Sequence, residues 1–361
     1  MQIKSIIERS GINLSMTAGT AVGATQNVIA SLLQDRYLHG YDLVFRGRLA
    51  IGTAAATAIL PEAPQSIFRR VAVEVHHTIF GTQRIIDLPG ATLFERAKLF
   101  NRQAPLTFGT TLATAVANYD IGVVLPLVFP LENVVEGQEF KTLLDAIRTS
   151  SIQIYLQMAP AADLFTPAGT TTFTWTAYGS ATGSPTLDLI QHPVNGLSHA
   201  PEMDLVVKHD RVDSLNAAVA YNNINGNWMP VGNDVRLVGL KQYVASTNSV
   251  DVVSSALDPI IGTDNGIAQP QLLVGKTAVR EYGSWQAFVH ETAQHFGIQP
   301  DSGYAVWDFV NRGNRLDALP ASTYSKTNTQ WGYGGVINPG GANSQVEAFL
   351  DEILSASAYK K

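Results

Sequence analysis

DLVFRGRLAI, residues 42–51, places Leu43, Phe45, Leu49 and Ile51 on one side of an extended chain and Arg46 and Arg48 on the other. Successive strand side chains face opposite ways, so this alternation predicts a strand with one buried and one solvated face. FRRVAVEV (68–75) repeats it, with Val71, Val73 and Val75 together. TFGTTLATAV (107–116), DIGVVLPLVF (120–129), SSIQIYLQMA (150–159) and TTTFTWTAYG (170–179) follow, punctuated by Gly, Pro, Asn and Asp. Many short strands at this spacing predict an all-β fold of sandwiches rather than alternating strands and helices.

A few helices interrupt the strands. Thr92 and Glu95 form a capping box after Pro89-Gly90, which predicts a helix to about Arg102. Ser284 caps a second, carrying Trp285, Phe288, Val289, Thr292 and Phe296. Phe140, Leu143, Leu144 and Ile147 predict a short helical face. Met1, Ile3, Ile6 and Ile7, then Val28, Ile29, Leu32, Leu33 and Tyr37, also fit a 3.6 period, with Lys4 and Arg9 polar between them.

The expected organisation is an N-terminal helical or extended segment (1–37), a first sandwich (38–192), a linker (193–204) and a second sandwich (205–361). RVAVEV (70–75) pairs with RLVGLK (236–241), Thr92 with Ser284, and FTWTAYG (173–179) with TQWGYGG (329–335). These ordered echoes suggest an internal duplication. Their unequal offsets place a long excursion around residues 245–275. At the C-terminus, Val346, Phe349, Leu350, Ile353 and Leu354 fit a helix behind a Ser344–Glu347 capping box, whereas a sandwich would end on a strand. Both readings of 344–355 stay open.

Charged residues make up 15% of the 361, against about 25% in ordinary globular chains. Apolar residues make up 45%. This excludes disorder as the main state and raises surface covered by neighbours as an explanation. With no cysteine, disulfides and thiolate chemistry are excluded. A net charge of −6 gives no electrostatic case for specific nucleic-acid binding. The longest apolar run, Ile121 to Leu131, is shorter than the roughly 20 residues a spanning helix needs.

Searches for chemistry fail on spacing. Gly275-Lys276-Thr277 has Pro270 where a phosphate loop needs glycine. His290 and His295 are five apart, not the four that bring two ligands to one helix face, and His76-His77 point to opposite sides of a strand. His39, His192, His199 and His209 are scattered. Glu132, Glu136 and Glu139 read as a solvated acidic loop. No catalytic residue, cofactor or metal ligand is assigned, and the chain reads as a non-enzyme.

Three stretches, DIGVVLPLVFPLEN…LLDAIRTSSIQIYLQM (120–158), GSWQAFVHETAQHFGIQPDSGYAVWDFVNRG (283–313) and NTQWGYGGVINPGGANSQVEAF (328–349), resemble the double jelly-roll major capsid proteins of the tectivirus–adenovirus lineage. Those belong to tailless icosahedral viruses with an internal membrane, bacteriophages among them. The resemblance implies two tandem eight-stranded jelly rolls and a pseudo-hexagonal homotrimer in an icosahedral shell. It also implies synthesis in the host cytoplasm, with neighbouring capsomers, penton and minor capsid proteins as partners. The N-terminus would meet the internal membrane through Lys4 and Arg9, and the excursion at 245–275 would face outward. Neutral trimer sides would leave the scarce charges on top, base and loops. The rival is a carbohydrate-binding or sugar-processing β-sandwich with Trp175, Trp228, Trp331 and Tyr333 as platforms.

Overall fold

The computed structural model describes residues 2–3, 5–17, 24–30, 36–60, 62–132, 139–195, 203–214, 227–229, 232–245, 251–252, 266–275, 277–310, 318–327, 329–338 and 344–356. The chain forms two compact all-β units, dividing between Val206 and Val207, with Ala356 returning to the first.

In the first unit one sheet is centred on the long strand Tyr37–Gly52. It pairs with Thr186–Asn195 and with Asn118–Val128, and Thr107–Gly109 lies at the sheet edge. The second sheet runs Gly81–Leu88, Phe68–His77, Thr149–Met158, Gln26–Ala30. Leu43, Phe45, Leu49 and Ile51 are all buried, as are Val71, Val73 and Val75. The Phe45 and Phe68 rings meet edge to face at 6.3 Å, joining the two sheets across the core.

The second unit has one sheet of Leu205–Ser214, Ser344–Leu354, Asp234–Ala245 and Tyr304–Asp308, and another of Asn227–Trp228, Trp331–Asn338, Gly266–Val274 and Thr277–Glu281. Val238, Leu240, Val346, Ala348 and Leu350 from the first meet Ile267, Leu272, Trp331 and Tyr333 from the second in one core. Helix Trp285–Phe296 adds Trp285 and Phe288.

The duplication is real but its register differs from the sequence reading. Tyr37–Gly52 pairs with its unit's last strand and with Asn118–Val128, which follows helix Gly90–Asn101. Asp234–Ala245 likewise pairs with the last strand of its unit and with Tyr304–Asp308, which follows helix Trp285–Phe296. RLVGLK therefore corresponds to the long strand beginning at Tyr37, not to RVAVEV. In this register Gly52 to Gly90 and Ala245 to Trp285 are nearly equal stretches, which removes the reason for a longer excursion in the second half. Of 245–275, Gly266–Val274 is a strand, while 246–250 and 253–265 lie outside the described residues.

Where helices are expected near the N-terminus, the described residues form strands. Ile6–Asn13 and Gln26–Ala30 are strands, because each finds an open sheet edge to complete. Leu32 and Leu33 lie outside the described residues. The linker also starts too early. Pro193, Val194 and Asn195 belong to strand Thr186–Asn195, and Met203 packs with Tyr37, Leu143 and Val194 of the first unit. In TFGTTLATAV only Thr107–Gly109 is strand, ended by a positive φ at Gly109.

Helix Gly90–Asn101 begins two residues before the expected cap. Leu93 N–H donates to Pro89 C=O, and Thr92 and Glu95 are buried inside the helix. A Cβ at Gly90 would lie 2.0 Å from the Phe68 carbonyl oxygen, so glycine lets the helix start against the strand. Ser284 is the expected cap: its Oγ accepts from Ala287 N–H at 3.2 Å. The face at 140–147 is two 3-10 turns, Glu139–Thr142 and Ala146–Arg148, flanking Leu144–Asp145. Asp145 draws the Ile147 and Arg148 N–H groups onto its carboxylate, and Ile147 is exposed.

Residues 344–354 form a strand. Val346, Ala348 and Leu350 face the core while Glu347, Phe349 and Asp351 on the other face are also buried. Burial on both faces erases the alternation, and the apolar residues fall at helical spacing by coincidence.

Candidate functional site

Part of the charge in the second unit is internal. Lys208, Arg236, Lys241, Glu347 and Asp351 are all buried. Lys241 is the cross-strand partner of Glu347, and its ammonium stands 5.3 Å and 5.4 Å from the Tyr243 and Tyr304 rings. Arg236 grips Asp308, and His295 Nε2 lies 3.2 Å from the same carboxylate. Burial raises the Asp308 pKa, but the Arg236 charge and hydrogen bonds from His295 and Arg236 outweigh it and hold it below the ordinary value. This corrects the expectation that charge sits on top, base and loops: Lys241, Glu347 and Asp351 are buried on the face of their sheet opposite the sandwich core.

Several of the described histidines are tied to protein groups. His77 is buried and accepts the Ile79 N–H through Nδ1; burial lowers its pKa. His76 contacts Thr82, and His290 contacts Gln294. No group of three or more His, Asp or Glu among the described residues could hold a metal ion. Glu132 is not a solvated acid: its carboxylate lies 3.3 Å from the buried Arg96 guanidinium. Glu136 lies outside the described residues, and Glu139 opens a 3-10 turn. Trp331 and Tyr333 are fully buried core residues, which removes them as sugar platforms. Trp175 packs edge-on against Phe45 at 6.0 Å, and the side chain of Trp228 lies outside the description.

Of the two membrane-facing residues expected from sequence, Lys4 lies outside the described residues. Arg9 is exposed on strand Ile6–Asn13, opposite Leu189. Ile7, two residues away, is 68% exposed. The outer face of this sheet carries ion pairs Arg46–Asp188 and Arg48–Asp120. Hydrogen bonds from Arg48, with a further one from Gly179 N–H, lower the Asp120 pKa.

One constellation escaped the sequence reading. His192 Nε2 lies 2.9 Å from Asp42 Oδ2, and its Nδ1 lies 3.2 Å from Ser5 Oγ. Ser5 and His192 are 187 positions apart, so only the strand pairing brings them together.

Exposed apolar side chains gather at the other edge of the sheet. Leu106 is 62% exposed beside edge strand Thr107–Gly109. A groove of about 410 Å³ there is lined by Ile59, Pro64, Phe108, Leu112 and Ile121 among others. Val212 and Val279 are exposed on the second unit. Open strand edges with apolar flanks are surfaces that assembly covers.

No family model and no curated protein matches the chain. Solved structures do. The STIV MCP, from Sulfolobus Turreted Icosahedral Virus, shares 13% identity at a TM-score of 0.66, over 98% of this chain and 97% of that one. The major capsid protein P2 from bacteriophage PM2 shares 12% at 0.56, over 98% of each. The Faustovirus major capsid protein shares 8% at 0.60, over 98% and 90%. At these identities the likeness is one of fold, and it gives the chain the tandem double jelly-roll architecture of those proteins.

Proposed function

We propose that this chain is a structural virion protein, a major capsid subunit that assembles into homotrimers of pseudo-hexagonal outline and, from these, an icosahedral shell. The observation that carries this reading is coverage. Viral major capsid proteins match this chain end to end in both directions, through both sandwiches. One jelly roll is a fold with many uses; two in tandem at matched length are a narrower object. The surface supports the same reading. Only 15% of residues are charged, several of these are buried, and apolar groups crowd an open sheet edge.

The finer parts rest on the resemblance. The subunit's partners are further copies of itself, neighbouring capsomers, and penton and minor capsid proteins. It is made in the host cytoplasm, binds no specific nucleic acid, needs no cofactor and catalyses no turnover. Its N-terminus lies over an internal membrane, where Lys4 and Arg9 meet anionic headgroups.

Light scattering of the purified protein tests assembly. A trimer near 116 kDa, three times 38.8 kDa, that associates into sheets or shells is expected. A monomer at every concentration overturns the proposal. Membrane contact is tested separately by co-sedimenting the full chain with phosphatidylserine vesicles. Binding that Lys4→Ala with Arg9→Ala leaves unchanged removes those residues from that role.

A further inference from the structure

We propose that Ser5 is a nucleophile, activated by His192 and oriented through Asp42, that accepts an acyl group from an activated ester or thioester. The register builds the site. Ile3 pairs with Val194 and Ile6 with Gln191, so Ser5 falls across from His192 on the neighbouring strand. On its other side His192 is opposite Gly40, and Asp42 is opposite Ile190. His192 and Asp42 are thus diagonal neighbours on the outer face. Gly40 presents no side chain between them, and a Cβ there would lie 2.0 Å from the Leu127 carbonyl oxygen.

The contacts set the chemistry. Asp42 Oδ2 lies 2.9 Å from Nε2, a position that favours the tautomer with its proton on Nε2 and leaves the Nδ1 lone pair facing Ser5. In that tautomer the Ser5 hydroxyl, 3.2 Å away, donates to the lone pair. Nucleophile to base and base to orienting carboxylate are the two contacts an activated serine requires. The His192 and Asp42 side chains are largely covered, at 17% and 26% exposure, while Ser5 is open to a reagent from solvent.

The step balances without an oxidant or reductant. Ser5 Oγ attacks the carbonyl carbon as its proton passes to His192 Nδ1, and Asp42 stabilises the imidazolium. The intermediate expels the alcohol or thiol, which leaves with the proton from His192, and the acyl group stays on Oγ. The site supplies a nucleophile, a base and an orienting group, so the inference is for uptake of one acyl group per chain rather than turnover.

The alternative role is mechanical: the same bonds clip the N-terminal strand to the sheet. Incubating the full-length protein with p-nitrophenyl acetate and with a fluorophosphonate probe, then mapping adducts by peptide mass spectrometry, separates the two. One adduct on Ser5 is expected, formed at least tenfold faster than on exposed Ser10, absent in Ser5→Ala, and slowed at least tenfold in His192→Gln. Asp42→Asn keeps the shape of the carboxylate and serves should His192→Gln fail to fold; it too is expected to slow labelling. Labelling of Ser5 no faster than of Ser10, or a rate unchanged in a folded His192→Gln or Asp42→Asn variant, overturns the proposal and leaves only the clip.

Discussion

Arg236 and Asp308 hold each other by two parallel contacts, Nε to Oδ1 at 3.4 Å and Nη2 to Oδ2 at 3.3 Å, with side-chain exposures of 0% and 3%. Arg48 and Asp120 make the same fork at 2.8 Å and 2.9 Å in the corresponding strand pair of the first unit, about one fifth exposed. The two forks lie at opposite ends of their strand pairs, so similar chemistry stabilises each half at a different place.

Removing one partner of a buried pair strips the other of its bidentate counter-charge. Asp308→Ala is expected to cost about 3–5 kcal/mol, since Arg236 has no access to water. Asp120→Ala leaves Arg48 able to hydrate, so its loss falls well below that. Urea midpoints of the two variants check the order; equal losses count against it.

Two groups set opposite limits on pH. Asp308 has a depressed folded value, so its stabilisation is complete above the unfolded carboxylate value near 4 and is lost as pH falls through the lower folded one. His209 moves the other way. Burial lowers its pKa, but a hydrogen bond and charge from Glu352, with Asp210 and Asp351, prevail and raise it. Its stabilisation is complete below about 6.5 and is lost as pH rises through the folded value. The melting-temperature gap between wild type and His209→Gln should therefore be widest at mildly acid pH and close in alkali. A gap that widens in alkali reverses the sign and refutes the assignment.

Gly239 lies under the Phe349 ring, where a Cβ would come within 1.9 Å of the phenyl carbons. Gly239→Ala should cost about 1–3 kcal/mol through overpacking. The same change in a Phe349→Leu background should cost less, because the smaller side chain gives way. A double-mutant cycle with no coupling contradicts this.

Ser284→Ala removes the hydrogen bond to Ala287 N–H and should cost about 1 kcal/mol. Ser284→Asp, which restores an acceptor, should recover most of it. Guanidinium denaturation reads both.

Residues 42–51 were legible because one face of their sheet is buried and the other wet, so Phe45 and Arg46 differ as neighbours should. Residues 344–354 were not, because Leu350 and Asp351 are both inside. The N-terminal strands were misread for a different reason. Ile3, Ile6 and Ile7 are too few to separate periods of 2 and 3.6, and the edge that pairs with them lies almost 200 residues away. Pairing also explains the missed register of duplication, since RVAVEV and RLVGLK look alike but have different neighbours. The cap at Ser284 was readable from local chemistry. The Ser5–His192–Asp42 contact was not, because no local signal joins a serine before one strand to a histidine at the end of another.

In both units the strand latest in sequence lies inside a sheet. Thr186–Asn195 sits between Ile6–Asn13 and Tyr37–Gly52, and Ser344–Leu354 between Leu205–Ser214 and Asp234–Ala245. Just beyond, Ala356 N–H donates to Asp204 Oδ1 at 3.0 Å, within the first unit. A chain emerging from the ribosome therefore lacks the middle of one sheet in each sandwich until Thr186–Asn195, and later Ser344–Leu354, has been made.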